Sequence, residues 1–129
     1  WVSLIRQPVF VSPEVLAWAA ERVAAKKPGA VVGRVRLVRY AEGPCAQIMH
    51  RGPYDDEPAT VAALEAFVAA SGHEDDIAEP TGDEALLNAL DAHGGVPTVR
   101  LHHEIYLGDP RRTKPENLRT VVRHPIRRA

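Results

Sequence analysis

Residues 98–107 alternate in a strict period of two. Val99, Leu101, His103, Ile105 and Leu107 fall on one side of an extended chain, and Arg100, His102, Glu104 and Tyr106 on the other, which predicts a strand. Similar runs predict strands at residues 1–6, 34–40, 45–51 and about 119–124, with the turn residues Ala41-Glu42-Gly43-Pro44 joining the middle two as a hairpin. Helical spacing occurs twice. Ser12-Pro13-Glu14 supplies a cap, a first-turn proline and an acid at the positive end of the dipole. Leu16, Ala19, Ala20, Val23 and Ala24 then form a stripe that stops at Lys26-Lys27-Pro28-Gly29. The second helix follows Gly52-Pro53-Tyr54-Asp55-Asp56-Glu57, with Asp55 or Asp56 as cap, a stripe of Val61, Leu64, Phe67 and Val68, and Ser71-Gly72 as its end. From His73 to Pro97 the chain turns acidic and Gly/Pro-punctuated. Asp83-Glu84 opens a short helix there carrying Leu86, Leu87 and Leu90, and Gly94-Gly95 ends it. Thr113, Pro115 and Glu116 suggest a capped single turn before the last strand. Helices so few and so irregularly spaced do not build a doubly wound parallel sheet. The order predicts an α+β fold, an antiparallel sheet with helices on one face.

Composition narrows the function classes. The 129 residues suit one domain with a real core, and 16 Lys and Arg against 17 Asp and Glu leave a formal charge of −1. Basic residues gather near the C-terminus (Arg111, Arg112, Arg119, Arg123, Arg127, Arg128), but without interleaved aromatics they read as a solvated rim, so no direct nucleic-acid binding is expected. Cys45 is the single cysteine, which fits a reducing cytoplasm and excludes an internal disulfide. No apolar run has membrane-spanning length, and no membrane association is expected. The chain opens at Trp1 inside a strand-like run, so it reads as a fragment of something longer.

Candidate chemistry centres on Glu104. If helices cover one face of the sheet, Arg100, His102, Glu104 and Tyr106 line the other. The 45–51 strand presents either Ala46, Ile48 and His50 or Cys45, Gln47 and Met49 to that side. Ala46 and Ile48 are the more core-like, which directs Gln47 and Met49 toward Glu104. Soft Met and flat Tyr around a Glu suit a flat, apolar or cationic ligand, and such a Glu is a general acid or base candidate. The plain alternative is a half-buried strand with a wet polar face. No metal site or cofactor is expected. His102 and His103 point to opposite faces, while His73, His93 and Glu74 lack ligand spacing. Cys45 has no partner pattern for a nucleophilic dyad, and nucleophile elbows and phosphate-binding glycine loops are absent.

Two blocks carry a family resemblance. Residues 47–57, QIMHRGPYDDE, and residues 102–113, HHEIYLGDPRRT, resemble the signature blocks of GyrI-like small-molecule-binding domains, in particular their stand-alone bacterial branch. The closing residues 118–125, the opening strand led by Trp1 and the helix ending in Ala-Ala-Lys-Lys-Pro match that branch too. Only about residues 74–100 fall outside. The resemblance implies two strand–helix–strand–strand modules with a ligand groove between them, on the side away from the helices. This chain then holds the last strand of the first module and the linking helix (1–33), and a complete second module (34–129) with an insertion at about 74–100. Relatives fused to DNA-binding heads sense cationic, lipophilic aromatic compounds against a buried Glu, and the stand-alone branch includes hydrolases that open the cyclopropane ring of DNA-alkylating natural products. By motif position, Glu104 matches the pocket Glu, Tyr54 the Tyr of the Gly-Pro-Tyr block and Trp1 one of the Trp residues before the linking helix. Glu104 and Tyr54 are therefore the expected catalytic residues, and Trp1 joins Gln47, Met49, His102 and Tyr106, placed by the strand faces, in the expected ligand-binding set. Tyr54 or Tyr106 is the expected donor to the oxygen that gains charge. A non-catalytic sensor or sequestering module is the alternative, and protein inhibition, suggested by the family's founding gyrase-inhibitory member, is a weaker third. The expected partner is a missing N-terminal module or a second copy of the chain.

Overall fold

Ser12, Pro13 and Glu14 do open a helix, which in the computed structural model spans Pro13–Lys26 (α1). The structure describes residues 2–78, 82, 85 and 100–129. Ser12 Oγ accepts the Val15 N–H at 3.4 Å, satisfying one of the donors a helix start leaves open. The Ser12 hydroxyl also holds the Glu14 carboxyl below the usual carboxylate range. Leu16, Ala19 and Ala20 are the half-buried face, and Trp18 points outward with the Arg22 guanidinium 5.2 Å from its ring centroid.

The chain divides into two compact units, one of Trp1–Tyr40 with Pro80–Pro97, the other of Ala41–Glu79 with Thr98–Ala129. In the first unit the expected strands are not formed. Residues 2–6 and 35–40 belong to no strand, and a 3-10 turn occupies Val32–Arg34. Alternation gives a segment the propensity for a strand, but a ladder needs a neighbour in register, and neither segment has one among the described residues. Trp1 and the short helix expected after Asp83, apart from Ala85, lie outside the described residues.

The second unit holds Cys45–Arg51 (β1), Glu57–Ala70 (α2), His73–Asp75 (β2), His103–Tyr106 (β3) and Arg119–Arg128 (β4). These strands make an open, antiparallel, four-stranded sheet, so the fold is α+β. The long β4 runs through its middle, with β1 along one side and β3 and β2 sharing the other. On the α2 side the core is Ala46, Leu64, Val68 and Val122, with Ile48, Val61 and Ile126 packed around it. Val61, Leu64 and Val68 therefore hold the positions their helical spacing assigned, whereas Phe67 turns outward and is 64% exposed. Neither Asp55 nor Asp56 caps α2 through its side chain. A 3-10 turn at Tyr54–Asp56 leads in instead, with the Asp56 N–H bonded to the Pro53 carbonyl at 3.1 Å.

Two features exceed the sequence reading. β4 continues past His124 through Pro125, a residue that normally ends a central strand. The flanking backbone is satisfied in other ways, since the Ile126 N–H donates to Pro44 and the Pro125 carbonyl accepts from Asp76, at 3.0 and 2.8 Å. The extension gives β2 its partner, and Arg127 ties the pair together through Glu74 at 2.7 Å and Asp76 at 2.8 Å. Among the described residues no helix is long and apolar enough to cross a membrane.

Candidate active site

Register decides which side chains meet. Residues opposite one another in a ladder share a face of the sheet. Ile48, Val122 and Glu104 stand in one row, and His50, Thr120 and Tyr106 in the next. Val122 is in the core beneath α2, so Glu104 and Tyr106 occupy the helix-covered face. Gln47, Arg123 and His103 form a row on the opposite face, as do Met49, Val121 and Ile105. The sequence expectation that Gln47 and Met49 accompany Glu104 is thus corrected, and so is the expectation that Glu104 faces away from the helix. Alternation along one strand establishes that Glu104 and Tyr106 go together, but only pairing through β4 establishes what else goes with them.

Glu104 is held from two sides. The Tyr106 hydroxyl donates to its Oε2 at 2.5 Å, and His102 Nε2 lies 3.4 Å from its Oε1. Tyr106 meets Tyr54 edge to face, with ring centroids 5.6 Å apart. His102 packs edge to face on His124 at 5.0 Å, and His124 Nδ1 contacts Asp75 Oδ1 at 3.2 Å. A continuous row of polar and aromatic groups therefore runs from Asp75 through His124, His102, Glu104 and Tyr106 to Tyr54. Within it His124 is buried, 3% exposed, while Tyr106 opens to solvent, 58% exposed.

The hydrogen bond to Glu104 dominates the Tyr106 phenol, which is pushed up to about 12, with burial and the Glu104 charge adding to the effect. Because the folded value is the raised one, the stabilisation from this contact is intact below pH 10 and fades as pH climbs through about 12. Phenolate absorbance should accordingly show one late-titrating tyrosine that disappears in Tyr106→Phe. A Tyr106→Phe protein with an unchanged titration curve would contradict the contact.

Tyr54 owes its position to residues whose part the sequence did not reveal. His50 is 3% exposed, and both its ring nitrogens are engaged. Nε2 lies 2.9 Å from the Pro53 carbonyl, which can only accept, so Nε2 carries a proton, and Nδ1 is 2.8 Å from Thr60 Oγ1. Gly52 takes a φ of 127°, open to glycine but costly for other residues, and its N–H donates to the Leu118 carbonyl at 3.1 Å. His50 and Gly52 together fix the turn that delivers Tyr54. The sequence showed His50 only as a polar break in a core-like stripe.

Glu57 is the second such residue. It opens α2 and, with Tyr54, Pro58, Val61, Ala62 and Glu65, lines an open depression at that end of the helix. Its Oε1 is buried with no hydrogen-bond partner among the described residues. Burial, then the neighbouring Glu104 charge, hold its carboxyl above the usual range, against a counter-pull from His50 and His102.

The rest of the HHEIYLGDPRRT block is architecture. Asp109 accepts from the Arg111 backbone N–H and twice from its guanidinium, each at 3.0 Å, and its carbonyl accepts from Arg112 and Thr113 at 2.9 Å. A Cβ at Gly108 would come within 3.2 Å of Thr113 Oγ1, so the Thr113 side chain would have to give way. Arg100, expected beside Glu104, instead clamps the Glu42 and Pro44 carbonyls, Asp76 and the Ile126 carbonyl. On the far face Arg123 binds Gln47 and Glu42, and burial pushes the Cys45 thiol up, away from nucleophile behaviour. Among the described residues, Glu65, Asp75 and His124 bring ligand-type atoms within 4.8 Å of one another, a grouping from three elements that sequence spacing could not reveal.

The chain was compared with known proteins. No family model matches it, and no curated protein does. Solved structures do. A hydrolase from Listeria innocua superposes with a TM-score of 0.72 at 40% identity, covering 95% of this chain and 52% of that one. An uncharacterized conserved protein from the same organism gives 0.74 at 42% identity, over 95% and 50%. A third structure, again of a hydrolase from Listeria innocua, gives 0.70 at 38% identity, over 95% and 50%. The chain spans about half the length of the solved structures it matches, and it is similar in sequence and fold to that half of each.

Proposed function

We propose that the chain is part of a GyrI-like domain that binds flat, apolar or cationic small molecules at the Glu104 face and hydrolyses cyclopropanoid compounds, a detoxifying reaction. The observation that carries this reading is the carboxylate of Glu104 held between the Tyr106 hydroxyl and His102, beside the Tyr54–Tyr106 ring pair. Support comes from two of the matching solved structures being hydrolases at 38–40% identity. In the reaction Glu104 takes a proton from water as the water oxygen bonds to the cyclopropane methylene. The strained C–C bond breaks, its electron pair moves into the conjugated dienone, and the former carbonyl oxygen gains a proton to become a phenol. The net change is addition of one water. Catalysis requires stabilisation of the charge growing on that oxygen, and the tyrosine edge of the site is where a donor can meet it.

The binding-only alternative rests on the same contacts, because a carboxylate between aromatic rings also serves as counter-ion to a cation. Product analysis separates the two. Incubating the full-length protein with a spirocyclopropyl dienone is expected to yield the water adduct in excess of the uncatalysed rate. Recovery of the intact compound from a protein that binds it would select the sensor or sequestering reading. Ile5, Phe10 and Trp18 of the first unit are 60–78% exposed, and with their exposed apolar neighbours they are the surface we assign to a further module or a second copy of the chain.

A further inference from the structure

Among the groups around Glu104, one further carboxyl, in the first turn of α2 where an acid suits the helix dipole, has a buried oxygen left unpaired among the described residues. Glu57 makes no cap, its Oε1 is buried and unpartnered among the described residues, and its side chain lines the depression shared with Tyr54. Burying a carboxyl without a hydrogen bond is unfavourable, and far more so when it is charged. The Tyr106 hydroxyl is a weaker proton donor by comparison, since it is committed to Glu104 and its phenol is pushed up to about 12. Two carboxyls in one site, one hydrogen-bonded on both oxygens and the other half-buried with one oxygen unpartnered among the described residues, is the pattern that separates a base from an acid.

We infer that Glu57 is the proton donor of the site, delivering its carboxyl proton to the oxygen that gains charge as the ring opens, while Glu104 receives the proton from water. This rests on the hydrolytic reading. One turnover leaves Glu57 as carboxylate and Glu104 protonated, and proton transfer between them or through solvent restores the start, so water adds with no other reactant. The charged or titratable groups that face Glu57 are Glu104 and Tyr106 on β3, His102 just before it, and His50 on β1, while Tyr54 and Glu65 share its depression. Burial, then the Glu104 charge, raise the Glu57 carboxyl above its ordinary value, the direction a proton donor needs.

The test is Glu57→Gln in the full-length protein, read in three ways. Turnover of a spirocyclopropyl dienone should fall about 100-fold, with the alkaline limb of the kcat/KM profile displaced. Stability should be unchanged at low pH and equal or greater above the ordinary carboxylate range, because a raised folded pKa means the wild-type side chain loses stabilisation as pH rises. The carboxyl-carbon NMR signal absent from the variant should be the one titrating late in the wild type. Full turnover with an unmoved alkaline limb overturns the inference while leaving hydrolysis by Glu104 standing. If the wild type proves inactive, the hydrolytic reading fails and takes the donor role with it, whatever the NMR titration shows. A Glu57 signal titrating in the ordinary range overturns the inference by itself.

Discussion

Glu104→Gln is expected to lower hydrolysis by about 10²- to 10⁴-fold, the usual contribution of a positioned acid or base. The substitution keeps the shape of the side chain. Its amide oxygen can still accept the Tyr106 hydroxyl that now lies 2.5 Å from Oε2, and its amide nitrogen can face His102. What it removes is the ability to take a proton from water. The carboxylate is 25% exposed and stands at the rim of the core, so the change in stability should stay within about 1 kcal/mol. Denaturant unfolding and turnover on the same preparation check both halves. A folded variant with wild-type turnover would remove Glu104 from the mechanism.

The second large effect lies one layer behind the site. His50→Ala is expected to cost about 3 kcal/mol, because it strands the Pro53 carbonyl and the Thr60 hydroxyl in a buried place and opens a cavity under α2. Turnover should fall in the surviving folded protein as well, since the Gly52–Tyr54 turn loses the bond that holds it against β1. His50→Gln, able to reach one of the two partners, should recover part of the stability. A loss below about 1 kcal/mol for the alanine variant, read from the unfolding midpoint, would show that the turn holds without the imidazole.

These residues also mark how far the sequence could be read. Ser12, Pro13 and Glu14 announced α1 through local capping, and Val61, Leu64 and Val68 announced the buried side of α2 through helical spacing. Both signals are local, and both elements stand where they were expected. Glu104 and Tyr106 were assigned to one face by alternation, and the structure brings them together with Tyr54 and His102. What failed was long-range. The face that received the helix depended on β4 pairing with β1 and β3 at once, through Val122 and Thr120, and nothing near Gln47 or Met49 in sequence carried that information. The residues at 34–40 alternate as a strand should, but strand formation needs an edge to join, which a hydrophobic pattern cannot guarantee. β2 was hidden for the opposite reason. His73, Glu74 and Asp75 have no apolar signal, and they pair only because β4 runs on through Pro125 and presents Arg127. His50 and Glu57 escaped notice because their importance lies in burial and in missing or completed hydrogen bonds, quantities that exist only once the chain has folded.

The most direct measurement concerns which face of the sheet takes the ligand. A non-hydrolysable aromatic cation titrated into isotope-labelled full-length protein should move the resonances of Tyr54, Glu57, His102, Glu104 and Tyr106 together, saturating with one affinity that is lost in Glu104→Gln. Shifts confined to Gln47, Met49, His103 and Ile105, on the opposite face, would contradict the placement of the site beside α2.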